Sequence, residues 1–401
     1  MKIDDKTSHN SPSLRFPEFT GEWEECVLGD YGKVVTGNTP PTKDIENYEN
    51  GTYLWASPAD LGTHKLISET KTKLSSKGFT KTRPLSKGSV LVTCIGSTIG
   101  KTGMATREMS TNQQINSIVV NENNDNEFVY YVVQSAFPHY LSSIAVQAVP
   151  IISKSSFELL PSKRPSLQEQ NKIGKFLSLL DERISTQHRL IEDLKKFKCA
   201  IVENVLNNRH SRMIRLGDIG SYIRGLTYSS NDVVEQNGTF IMRSNNIVNG
   251  CSLDYYNDVV SVNKRISKEQ MLQNGDIIIC MANGCSALVG KSSFYDGKCP
   301  RSITVGAFCG IYRSEEPIVK WLFQTNRYRR YIWNSLQGGN GAIANLNGED
   351  ILRMSFPIPD APVKNNCVKL LTSVDFMIEN ATSLCVLYTS QKEYLLRQMF
   401  I

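Results

Sequence analysis

Two glycine–lysine turns are the residues in this sequence whose types could carry chemistry. Gly96-Ser-Thr-Ile-Gly100-Lys101-Thr102 and the run from Gly284 to Gly290-Lys291-Ser292 have the composition of a phosphate-binding loop. Such a loop needs four residues between its first glycine and the Gly-Lys-Ser/Thr, so that successive N–H groups curl around the phosphates. Gly96 and Gly100 enclose three, and Gly284 and Gly290 enclose five. The segment after Thr102 reads as a turn and strand rather than the required helix, so both are better read as hairpins presenting Lys101 and Lys291. Asn38-Thr-Pro-Pro41 is only a near miss to the Asn-Pro-Pro-aromatic tetrad of an amino-methyltransferase. Ten cysteines are scattered without a CxxC pair, and Cys280, Cys285, Cys299 and Cys309 fit no zinc-ligand spacing. They read as reduced thiols, several on apolar strands. We expect neither a catalytic residue nor a metal ligand set in this chain.

The elements that must position the remaining polar residues are legible in outline. With 401 residues, 40% of them hydrophobic, the chain is long for one core and sufficient for two. A net charge of +6 is compatible with an anionic partner. The amino terminus has no apolar run, and no stretch is expected to reach membrane-spanning length, so a soluble, cytoplasmic protein is expected. Residues 1–15 read as a loosely held tail and 16–164 as a first mixed domain. Cys26-Val-Leu, Tyr53-Leu-Trp, Ser89 to Ile95 and Ile115 to Val120 read as strands there, and Phe128 to Gln147 as a helix. Residues 165–210 form a central helical segment, 211–362 a second mixed domain, and 363–401 a closing helix.

The second half repeats the first. Leu28-Gly29-Asp30 recurs as Leu216-Gly217-Asp218, 188 positions on, and Lys87-Gly88-Ser89 as Asn274-Gly275-Asp276, 187 on. Gly100-Lys101-Thr102 recurs as Gly290-Lys291-Ser292 and Gln134 as Gln324, both at 190. Ala148 to Ser153 recurs as Ala342 to Asn347, and Leu180-Asp181 as Val374-Asp375, both at 194. An ordered series with a drifting offset is the mark of a duplicated unit with loop insertions. The fold class is therefore α+β, with two mixed α/β domains separated by two long helices in a pseudo-twofold repeat.

Apolar residues on the helices fall on alternating steps of three and four. The seam on the first is Leu177, Leu180, Ile184, Ile191, Leu194, Ile201 and Val205, interrupted by Gln187 and Lys198; on the second it is Leu371, Val374, Ile378, Ala381, Cys385, Tyr388 and Leu395. Stripes of this length, on helices of roughly 60 Å, predict that the two pair with each other as an antiparallel coiled coil. A rod holding one domain at each end suits a ligand with two separated sites, such as duplex DNA.

Several phrases resemble the specificity subunit of type I restriction–modification systems. They are Leu28-Gly-Asp followed by Thr36-Gly-Asn-Thr-Pro40, Tyr53-Leu-Trp, Lys87-Gly88-Ser89 before a strand, and Thr111-Asn-Gln-Gln114. Most specific is the helix entrance, Leu159-Leu-Pro161 leading to Pro165-Ser-Leu-Gln-Glu-Gln170 and Ile173. The similarity runs from about Phe16 to Phe400. The second half departs from it, with Arg224-Gly-Leu-Thr-Tyr228 and a degenerate entrance, Pro357-Ile-Pro-Asp-Ala-Pro362. The resemblance implies a non-catalytic DNA reader in which each globular part is a target recognition domain for one half of a bipartite, asymmetric site. It also implies helices that set the spacer and dock two methyltransferase subunits, through which restriction subunits join. S-adenosylmethionine, ATP and magnesium would belong to those partners, with no cofactor on this chain.

Residue types that reach base edges and phosphates from loops then become candidates. In the first domain they are Thr36, Asn38, Thr39, Ser57, Asp60, Ser97, Thr98, Lys101, Asn112, Gln113 and Gln114; in the second, Arg224, Tyr228, Arg243, Asn245, Asn246, Asn283, Lys291 and Arg301. Each type also caps turns and decorates surfaces. Lys320 to Trp333 is basic and aromatic; its counterpart Tyr130 to Ser142 keeps the aromatics and loses most of the charge. We therefore expect Trp321, Tyr331 and Trp333 in the core and Arg327, Arg329 and Arg330 at phosphates. Two other readings stay open: a protein-binding scaffold, and a stand-alone nucleotide hydrolase or nuclease.

Overall fold

The computed structural model describes residues 10–143, 151–206, 211–336 and 344–401. The chain divides into two units, one of residues 1–188 with 383–401 and one of residues 189–382. Each long helix therefore contributes one part to each unit.

In the first unit, strands Gly32–Thr36, Ile115–Val120, Val90–Thr93, Thr102–Ala105 and Leu66–Ile67 lie side by side in that order. A smaller sheet holds Thr72–Leu74, Tyr53–Ala56 and Ser110–Thr111, and Glu24–Val27 pairs with Pro161–Arg164. Val90–Thr93 lacks polar–apolar alternation because both its faces are buried. The helix Asn126–Ser143 covers the sheet and buries Phe128, Tyr131, Val133 and Phe137. It starts where the Phe128 N–H donates to Asp125 at 2.8 Å.

The second unit repeats this order: Ser221–Arg224, Cys309–Arg313, Ile277–Cys280 and Ser292–Phe294, beside a sheet of Val233–Val234, Val260–Val262, Thr239–Met242 and Ile303–Val305. Arg212–Arg215 pairs with Ser355–Ile358. The duplicated glycines share backbone demands. Gly100 and Gly290, at φ +90° and +80°, turn the chain at the two Gly-Lys hairpins. No phosphate-loop helix comes after Lys101; the strand Thr102–Ala105 does.

The central helix is Leu167–Leu206 and the C-terminal helix Ala361–Met399. The expected segments, 165–210 and 363–401, each begin two residues from these helices; residues 207–210 lie outside the described residues, as do residues 148–150 and 342–343 of the repeat and the expected helix end at Gln147. All fourteen seam positions are buried or half-buried. Their cover is shared, however, between helix and domain. Leu177, Leu395, Leu396 and Met399 enter the first domain's core beside Phe128 and Phe157, while Val202 and Leu371 enter the second beside Trp321 and Phe356. Helix–helix pairing alone, as expected from the seam length, understates the role of the domains. Within the first unit the helix segments run antiparallel, since Asp181 meets Lys392 and His188 meets Cys385.

Two other expectations are corrected. The C-terminal helix is long and apolar enough to cross a membrane by length and composition. The pattern arises because apolar residues lie outside the seam as well as in it, with Phe376, Val386 and Leu387 exposed. Trp333 is not core: it is 66% exposed, whereas Trp321 is buried and Tyr331 half-buried. The helix Asn326–Leu336 buries Tyr328 and Ile332, and this face turns Trp333 outward.

Candidate nucleic-acid interface

In the first domain three chain segments meet at one end of the large sheet. The strand ending at Thr36-Gly37 abuts the loop Thr111–Gln114, and the turn after Thr93 lies on the other side of that loop. The Gly37 N–H donates to Ile115 O at 3.1 Å, Asn38 N–H to Thr111 O at 2.9 Å, and Cys94 N–H to Gln114 O at 2.8 Å. The Asn112 N–H closes the frame on Ala56 O at 2.9 Å. A Cβ on Gly37 would stand 2.2 Å from Thr111 O, so only glycine permits this approach.

The second domain builds the same frame. Gly225 N–H donates to Cys309 O at 3.2 Å, Leu226 N–H to Val305 O at 2.8 Å, Met281 N–H to Phe308 O at 2.8 Å, and Gly306 N–H to Met242 O at 2.9 Å. A Cβ on Gly225 would lie 2.2 Å from Gly306 O. The loop Val305–Phe308 thus stands where the first domain has Thr111–Gln114.

Side chains around the frames divide into those that build it and those left outward. Thr36 donates to Asn116 at 2.7 Å, Asn38 to Lys81 O at 2.8 Å, and Thr39 to Gln113 at 2.5 Å. Asn112 is buried and donates to Gln114 at 3.1 Å. Asp60 accepts from the Ser57 N–H at 2.9 Å and from Lys71 N–H at 2.8 Å. In the second domain Asn246 holds the same place, accepting from the Arg243 N–H at 2.9 Å and only 1% exposed. Asp60, Asn112 and Asn246 therefore hold turns. Arg243 and Asn245 are both engaged with Asp258, and Asn283 donates to Ser244 at 3.3 Å. Gln113, Ser97, Lys101, Arg224 and Arg301 are exposed, while Thr98, Tyr228 and Lys291 are half-buried. Arg301 stacks over Phe240 at 5.1 Å. Arg327 donates to Ser355 O at 2.7 Å, and Arg329 and Arg330 are exposed.

Two residues at these frames escaped the sequence reading. Arg83 donates to Thr36 O at 2.7 Å and so borders the first frame. Phe308 is 68% exposed on the second. The repeat offset could have found it, because 194 positions separate it from Gln114, but the surrounding residue types differ too much for the match to be seen.

A second duplicated device fixes each domain to the helices. Asp181 on the central helix accepts from Tyr131 OH at 2.5 Å and pairs with Lys392 at 2.7 Å. Asp375 on the C-terminal helix accepts from Trp321 Nε1 at 3.1 Å and pairs with Lys198 at 3.1 Å. Burial and the two neighbouring carboxylates raise the Tyr131 phenol well above its ordinary range, so it stays a proton donor. The helix entrances correspond too: Gln170 donates to Asn124 at 3.2 Å in one unit, and Lys364 pairs with Glu316 at 2.7 Å in the other.

Residues 20–196 match the family model for the type I restriction modification DNA specificity domain. The chain is 28% identical over 189 residues to the type I restriction enzyme MjaIX specificity subunit of Methanocaldococcus jannaschii, covering 46% of this chain and 43% of that one. It thus spans less than half the length of the first curated relatives it matches. Against the MjaVIII specificity subunit of the same organism the identity is 22%, over 91% of this chain and 88% of the relative. The fold is that of a type I restriction–modification S subunit from M. genitalium, with a TM-score of 0.64 and 15% identity, covering 98% of this chain and 99% of that one. The duplicated frames and the helix-entrance phrase thus lie in a chain whose residues 20–196 match a type I restriction modification DNA specificity domain, and which is similar along its length to specificity subunits of type I restriction–modification systems.

Proposed function

We propose that this chain is the sequence-reading, non-catalytic subunit of a type I methyltransferase and ATP-dependent endonuclease. Each domain reads one half of a bipartite, asymmetric site in double-stranded DNA. The observation that carries the reading is the pair of equivalent loop frames, which hold different side chains on the same backbone hydrogen bonds. An invariant frame with variable outward residues is what two readers of unlike half-sites require.

The two helices set the spacing between half-sites and dock two methyltransferase subunits, through which restriction subunits attach. Exposed Leu179, Leu190 and Phe197 on the central helix, with Phe376, Val386 and Leu387 on the C-terminal one, supply apolar surface for such docking. S-adenosylmethionine, ATP and magnesium are carried by the partners, and the assembly works in the cytoplasm. A salt titration of the chain assembled with its methyltransferase subunits tests DNA reading. Affinity should fall roughly a thousandfold between about 50 and about 200 mM salt while one sequence is preferred throughout. Binding without sequence preference would favour a scaffold instead.

A further inference from the structure

We propose that Phe308 is a specificity-determining residue of the second domain, reading a thymine through its C5 methyl group in the major groove. The inference rests on the DNA-reading function proposed for the chain. Three positions of the first domain's loop, Asn112, Gln113 and Gln114, carry hydrogen-bonding amides. Gly306, Ala307 and Phe308 stand in those places in the second domain, so its loop has no polar side chain with which to read a base edge.

The ring is nevertheless presented rather than hidden. Its residue is 68% exposed, between strands Ile303–Val305 and Cys309–Arg313 that are almost wholly buried. The Phe308 carbonyl accepts from both Met281 N–H, at 2.8 Å, and Ala282 N–H, at 3.2 Å, which fixes the loop tip. In the first domain Gln114 is instead tethered by Asn112, and that tether is absent where Gly306 replaces it. Exposed Arg224, on the strand next to the loop, supplies a cation for the backbone or a guanine. An exposed apolar ring on a loop fixed by its main chain has one distinctive partner among base edges, the thymine methyl.

The test uses the complete assembly of this chain with its methyltransferase subunits. The methylated site is mapped for the wild type, Phe308→Ala and Phe308→Gln, and each thymine of the site is then replaced in turn by deoxyuridine in a binding assay. One thymine in one half-site should matter to the wild type by about fourfold, the worth of one buried methyl. Phe308→Ala should lose that discrimination and relax the same position, with the other half-site unchanged as the internal control for folding. Phe308→Gln should alter the preferred base there. The inference is overturned if Phe308→Ala reads both halves as the wild type does, or if relaxation occurs with no sensitivity to deoxyuridine. A wild-type assembly that methylates no bipartite site would instead overturn the function on which the inference rests.

Discussion

Asp181 and Asp375 stand 194 positions apart, and each is the junction of a domain with both helices. Asp181 takes Tyr131 from its domain and Lys392 from the opposite helix; Asp375 takes Trp321 and Lys198 in the same way. The aromatic donors correspond at an offset of 190 and the lysines at 194. Lys65 adds a second cation at the first junction, 3.7 Å from Asp181, and Lys320 at the second, 2.8 Å from Asp375.

Removing one member of such a junction should cost more than the pair contributes. In Asp375→Ala the Lys198 ammonium, with a side chain 9% exposed, loses its counter-charge in a buried place. Breaking a buried pair in this way costs about 3–5 kcal/mol. Urea denaturation should show that loss, and the double variant Asp375→Leu, Lys198→Met should recover the part due to Lys198 while Lys320 and the Trp321 N–H still lack their acceptor. Equal stability of Asp375→Ala and the wild type would mean that the junction is not buried in solution.

The glycine approach gives a local prediction. Gly37→Ala places a methyl group against Thr111 O and Asn112 O, at 2.2 and 2.3 Å, and must displace the loop that carries Gln113 and Gln114. Gly225→Ala does the same at Gly306 O. Each variant should lose recognition of its own half-site while helical circular dichroism stays unchanged, at a stability cost of about 1–3 kcal/mol. Intact recognition in both variants would remove the frames from the DNA-reading face.

Much of this was legible in the residues, and the exceptions have physical reasons. The long helices, the repeat and the Gly-Lys hairpins arise from periodicity and turn chemistry. Asp60 and Asn246 show what residue type leaves open: both carry side chains suited to base contacts, and a residue three positions after Ser57 or Arg243 can also fold back on that backbone N–H, as both do here. Trp333 departs from its expected burial because aromatic content shared with Tyr130 to Ser142 does not fix which face of a helix a residue takes; here the helix buries Tyr328 and Ile332 and turns the indole outward. Phe308 was hidden because its loop keeps the backbone bonds of Thr111–Gln114 and none of the side chains. Hydrogen bonds between main-chain atoms leave no trace in residue identity.

The helices as a ruler make a distinct claim. Inserting four helical residues after Ile191 adds about 6 Å of rise, which corresponds to about two base pairs. The preferred spacer of a correctly folded assembly should lengthen by that amount. An unchanged spacer would show that the distance between half-sites is set elsewhere.

The central claim is that two unlike readers act on one DNA. Its most direct test is base-resolution mapping of methylation in cells that express this chain with a methyltransferase partner. The expected result is a bipartite motif, two unlike specified blocks separated by a fixed run of unspecified bases, absent when this chain is withheld. A continuous motif, or no motif that depends on this chain, would contradict it.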